Sequence, residues 1–129
     1  KIVLQKWFQI KASYNNKFFD GINSIKDILK DINFEYKNPN FVRAIFNSFQ
    51  RNNIELFHAK DGSGYKFVTD QIIIIDKINP QTAARIITPM TNISKFNDIT
   101  KNRIKIYLKK IINSNPSNDV FEVVSKVLA

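Results

Sequence analysis

The chain has 129 residues, 43% of them hydrophobic with 11 phenylalanines, no cysteine and a formal charge of +9. A chain of this size buries roughly two-thirds of its unfolded surface, so a real core is possible, and its longest plain apolar run, Ile72 to Ile75, is far short of the roughly 20 residues of a membrane span. The lack of cysteine excludes disulfides and thiolate metal sites and fits a reducing, cytoplasmic setting, and the N-terminus has no signal-peptide pattern because Lys11 interrupts its apolar stretch.

The apolar spacing is helical throughout. Ile2, Val3, Leu4, Trp7, Phe8 and Ile10 leave little of a first helix polar, so this helix expects neighbours on two sides. Phe18, Ile22, Ile25 and Leu29 step by four, three and four, and Phe41, Ile45 and Phe49 step by four. The tetrapeptide Ile72 to Ile75 alone suits a buried strand, because β-branched residues favour strands. The stripe Tyr65, Val68, Ile72, Ile75 instead makes it part of a buried helix reaching to Lys77. Pro89 should end or bend the helix before it, since it lacks the amide that bonds back one turn. Asp98 reads as an N-cap for the stripe Ile104, Leu108, Ile111, and Ser117 for a final stripe Val120, Val124, Val127.

Asn-Pro occurs at 38/39, 79/80 and 115/116, with the prolines 41 and 36 residues apart. Proline fits the first helical turn and the preceding Asn can cap, so each pair reads as a helix entry, at a spacing near that of two-helix HEAT or armadillo repeats. The fold expected is all-α: six or seven short antiparallel helices forming one module over residues 1–129, part of a helical-repeat superhelix.

Phe57 to Tyr65 (FHAKDGSGY) and Asn79 to Pro89 (NPQTAARIITP) hold two of the three glycines, the one histidine and one of four arginines. With LQKWF (Leu4 to Phe8), NPNFVRAIFNSF (Asn38 to Phe49) and the terminal VSKVLA (Val124 to Ala129), they make five collinear blocks that resemble the C-terminal domain of bacterial aminopeptidase N, a family of zinc metallo-aminopeptidases. The resemblance implies a fragment of a hydrolase that removes N-terminal residues from peptides. It implies that zinc, the general-base glutamate and the group recognising the free amine lie in an upstream catalytic domain of the same polypeptide, which would be this chain's partner. The fragment would roof the active-site cavity. Residues matching Gln81 and Arg85 reach the cavity edge in that family and the one matching Arg43 lies nearby, so these three are expected to bind substrate, Gln81 beside the pocket for the first side chain and the arginines at the downstream backbone or carboxylate. An Arg fork suits carboxylates through paired charge-assisted hydrogen bonds. Ion pairing of both arginines within the helical stack is the structural alternative.

The residues themselves give no catalytic or metal site. A zinc hydrolase needs about three protein ligands and an open position, whereas this chain has one His, no Cys and no H-E-x-x-H. His58, Asp61 and Ser63 share one turn, while a triad converges from separated segments. Asp61 and Gly62 are therefore read as the turn, Ser63 as the cap of the next helix and His58 as a structural hydrogen-bonder. The positive charge is scattered, densest at Lys101, Arg103, Lys105, Lys109 and Lys110 on one expected helix, and reads as solvated surface rather than a nucleic-acid patch. A free-standing basic repeat binding nucleic acid or a protein groove remains the alternative, to be separated by whether the basic side chains converge on one face.

Overall fold

Asparagine before proline begins two of the helices as expected. Asn38 caps α3 (Pro39–Asn52) through its side-chain oxygen to the amides of Asn40 and Phe41, and Asn79 caps α6 (Pro80–Ile86) through the amide of Thr82. The third pair behaves differently. Asn115 takes a positive φ of 59° and Pro116 lies in the loop; the helix there, α9 (Asn118–Leu128), starts only after Ser117, whose hydroxyl caps it. A left-handed Asn turns the chain instead of capping it.

The computed structural model describes residues 2–13 and 21–129, so Phe18 of the second stripe lies outside the described residues. Among them are nine helical segments and no strand: α1 (Ile2–Ser13), α2 (Gly21–Ile28), α3, α4 (Ile54–Phe57), α5 (Ser63–Ile78), α6, α7 (Thr88–Thr91), α8 (Asp98–Ile112) and α9. Two of the nine, α4 and α7, are four-residue turns that the apolar periodicity does not mark. Pro89 acts as expected: α6 stops at Ile86 and α7 begins with Pro89 in its first turn. The head of α8 corrects the expectation for Asp98, because Asn97 is the cap, accepting from the Thr100 amide, and Asp98 sits in the first turn, where its charge suits the helix dipole. Residues Ile72 to Ile75 are helical, with Ile72 and Ile75 buried and Ile74 turned outward.

The chain forms two compact units, Lys1–Phe67 and Val68–Ala129. In the first, α1 packs along α3. Gln5 lies near Asn40 and Arg43, and at the other end Asn53 Nδ2 donates to the Ala12 carbonyl at 3.0 Å, so α1 and α3 run side by side in the same direction. This is the arrangement of first helices in successive two-helix repeats. The core of this unit is aromatic: Phe8, fully buried, meets Phe41 and Phe34 edge-on at 5.1 and 6.0 Å, and Phe49 meets Phe57 and Phe67 at 6.0 and 5.5 Å. Phe57 in turn stands perpendicular to Tyr65 at 5.2 Å. Edge-to-face geometry sets the positive ring edge against the negative ring face, which adds to the burial of each ring.

In the second unit α9 packs on α6, α7 and α8 through Val120 and Val124. Its start is fastened by Asp76, a buried carboxylate that accepts the Ser117 amide at 2.7 Å and the Ser117 hydroxyl at 2.5 Å, across 41 residues of sequence.

Candidate functional site

Arg43 lies on α3, half-buried, and its Nη2 donates to Asn40 Oδ1 at 2.6 Å. One turn apart on the same face, Arg43 and Asn47 stand opposite Gln5 and Gln9 of α1, which are also one turn apart. These four side chains, with Asn40, Ala44 and Ser48, line a cavity of about 320 Å³. The close approach of α1 and α3 makes this trough, and with Phe8, Ala12, Phe41 and Ile45 buried, Ala44 is the one apolar side chain of its lining.

Gln81 and Arg85 lie on α6, both exposed, at the second and sixth positions of the helix. Asn79 and Pro80 place them: the cap fixes where the helix starts, Thr82, Ala83 and Ile86 turn inward, and the i,i+4 pair is left on the solvent face. Among the described residues neither Arg43 nor Arg85 has a carboxylate partner. The structural alternative, ion pairs within the stack, therefore finds no support among them. Arg43 falls in the first unit, Gln81 and Arg85 in the second.

The turn from His58 to Ser63 is structural. His58 Nδ1 shares a hydrogen bond with the Tyr65 hydroxyl, and Asp61 Oδ1 accepts the Ser63 amide at 2.9 Å. Gly62 takes a φ of 78°, and Ser63 is already the first residue of α5, so the expected Ser63 cap is corrected: Asp61 receives the amide at the helix head. Gly64 is there because α4 touches it. A Cβ at this position would stand 2.2 Å from the Leu56 carbonyl oxygen.

Among the described residues no group of three His, Cys, Asp or Glu side chains could hold a metal ion. The donor set does not fit zinc, since the one histidine is engaged with Tyr65. The basic residues of α8 do not converge either. At about 100° per residue, Lys101, Lys105 and Lys109 fall on one side of the buried stripe Ile104, Leu108, Ile111, and Arg103 and Lys110 on the other. That split gives no single phosphate-binding face on this helix.

Sequence reasoning missed Gln5, Gln9 and Asn47. Amides are abundant in this chain and carry no motif, and only the parallel α1 and α3 pairing shows that these face Arg43. The i,i+4 spacing of Gln5 with Gln9, and of Arg43 with Asn47, was the available signal.

A family model described as domain of unknown function (DUF3458_C), ARM repeats, matches residues 1–129. Aminopeptidase N of Haemophilus influenzae is 36% identical over 98% of this chain, and that of Escherichia coli 29% identical over 99%. A crystal structure of Legionella pneumophila aminopeptidase A in complex with aspartic acid superposes with a TM-score of 0.86 at 32% identity, covering 97% of this chain. The chain spans only 14–15% of the length of these relatives. No helix among the described residues is long and apolar enough to cross a membrane. This chain of short capped helices, matched from end to end by the family model, belongs to the DUF3458_C ARM-repeat family, the C-terminal helical domain of bacterial aminopeptidase N.

Proposed function

We propose that this chain is the last part of the C-terminal domain of a cytoplasmic zinc aminopeptidase, where it roofs the active-site cavity and offers Gln81, Arg85 and Arg43 to the peptide being trimmed. The observation that carries the reading is the match of nearly the whole chain, at 36% identity, to an aminopeptidase N. The chain contributes no catalytic group. Zinc, which polarises the scissile carbonyl and activates water in such enzymes, would be held by the rest of the same polypeptide, because no group of side chains among the described residues furnishes its ligands. Residues 1–129 would act as one module against that catalytic part, admitting peptides and excluding folded proteins.

What this chain supplies in that reading is recognition. The exposed guanidinium of Arg85 lacks a carboxylate partner among the described residues, so it is available to a peptide's downstream carbonyl or carboxylate. Gln81 brings both donor and acceptor on the same face. The test is Arg85→Ala in the intact enzyme. Only a peptide presents a downstream backbone and carboxylate, so its kcat/KM should fall by the equivalent of about 1–3 kcal/mol while an aminoacyl amide is spared. Equal losses on both substrates would assign Arg85 a structural role.

A further inference from the structure

The trough between α1 and α3 continues past the residues around Arg43. A second cavity of about 460 Å³ is lined by Gln9, Ile10, Ser13, Ser48 and Asn52, and it shares Gln9 and Ser48 with the first. The groove thus follows α3 from Asn40 to Asn52, about 18 Å at 1.5 Å per residue. An extended chain advances about 3.3 Å per residue, so the groove matches about five residues of strand-like peptide.

Its chemistry narrows the ligand further. Five carboxamides, Gln5, Gln9, Asn40, Asn47 and Asn52, face the groove with the Ser13 and Ser48 hydroxyls, and Arg43 is the one charged side chain of the lining. With no carboxylate in it and a guanidinium among its side chains, the groove has no anionic ligand for a cation. A single guanidinium, held by Asn40, is too little for a polyphosphate, and Ile10 and Ala44 are the two apolar side chains of the groove's lining. A carboxamide has one acceptor oxygen and two N–H donors, which is the complement of the alternating C=O and N–H of a peptide main chain. Gln5 and Gln9 on one wall and Arg43 and Asn47 on the other are each spaced one helical turn apart, about 5–6 Å between Cβ atoms, close to the repeat of two extended residues.

We propose that this groove binds the main chain of an extended peptide of about five residues, largely without regard to its side chains, through Gln5, Gln9, Asn47 and Arg43. The proposal rests on the aminopeptidase reading only for the source of the peptide, the substrate's own segment beyond the residue being removed. Reading the backbone suits an enzyme that must hold many sequences while it works on their ends.

The experiment uses the intact polypeptide and a fluorophore-labelled hexaalanine, N-acetylated and C-amidated so that neither terminus can be recognised. Polarisation should show binding. The same peptide with alternate amides N-methylated, which removes main-chain donors and keeps every side chain, should bind at least tenfold more weakly. Gln9→Leu and Asn47→Leu should each weaken binding about fivefold, the scale of one neutral hydrogen bond. Equal affinity for the methylated and unmethylated peptides, or no binding at millimolar peptide, overturns the proposal, and the peptide comparison on the wild-type protein does not depend on how any variant folds. A parallel assay of alanine release from uncapped hexaalanine and from alanyl anilide separates the two readings: cleavage without capped-peptide binding removes the groove alone, and capped-peptide binding without cleavage removes the aminopeptidase alone.

Discussion

Alanine at position 64 would place its Cβ 2.2 Å from the Leu56 carbonyl oxygen, 2.3 Å from that of Phe57 and 2.6 Å from Phe57 Cα. All three are backbone atoms, so no rotamer change relieves the contact, and reaching an ordinary separation of about 3.4 Å requires α4 to move by about 1 Å. Three terms set the outcome. Overpacking of this kind costs about 1–3 kcal/mol. Moving Phe57 also disturbs its perpendicular contact with Tyr65 at 5.2 Å and its edge contact with Phe49 at 6.0 Å, and such pairs contribute about 0.5–1.5 kcal/mol each. Against this, alanine is the better helix former by about 1 kcal/mol.

The expected net loss for Gly64→Ala is about 2–4 kcal/mol, a large share of the 5–15 kcal/mol that holds an ordinary domain. Urea unfolding followed by Trp7, the chain's one tryptophan and a member of the same unit, should show a lower midpoint with little change of slope, and Tm should fall by about 10 °C. Gly62→Ala provides the scale: its φ of 78° imposes a left-handed penalty of about 1–2 kcal/mol. A Gly64→Ala chain as stable as wild type, or a Gly62→Ala chain more damaged than Gly64→Ala, would refute the packing argument.

Asp76→Ala should cost about 2–3 kcal/mol, because it removes two charge-assisted hydrogen bonds to Ser117 at a buried site, and hydrogen exchange should rise first in α9; protection of α9 unchanged from wild type would show that Asp76 does not fasten it. On α1, Ile2, Val3 and Ile10 are 72, 80 and 69% exposed and Trp7 38%, so the isolated 129-residue chain should self-associate with rising concentration, and Ile10→Lys should shift it toward monomer in sedimentation experiments. Concentration-independent sedimentation of the wild-type chain would count against that.

The helices were legible because their signals are local. Asn38 and Asn79 cap where Asn-Pro placed them, the stripe from Tyr65 to Ile75 is helical and buried, and Ser117 starts the last helix. The errors came where two adjacent residues compete for one role. Asn97 and Asp98 both suit a cap, and the structure uses the first and leaves the second to the dipole. At 115 and 116 the same dipeptide that opens α3 forms a left-handed turn, because Ser117 already supplies the cap and Asp76 holds its amide from a distant helix. Phe8 and Trp7 are neighbours on one apolar helix, yet one ring is fully buried and the other partly exposed, which depends on where Phe34 and Phe41 lie. Tertiary links such as Asp76 to Ser117 and Asn53 to Ala12 leave no trace in periodicity.

Those two links explain why the candidate site was harder to read than the fold. Each spans 41 residues, the interval between the prolines that open α3 and α6, so each unit is closed at that length by a hydrogen bond. The polar pairs Gln5 with Gln9, Arg43 with Asn47, and Gln81 with Arg85 take no part in that closure. Each is an i,i+4 pair above a buried row, and substitutions at such surface positions usually change stability by no more than about 0.5 kcal/mol. The fold therefore places almost no restriction on them, and in the proposed reading the restriction comes from the ligand. In a chain rich in Asn, Gln and Lys, a restriction of that kind cannot be told from composition until the helices are set side by side. Parallel α1 and α3 provide that arrangement, bringing two pairs drawn from distant segments into one groove.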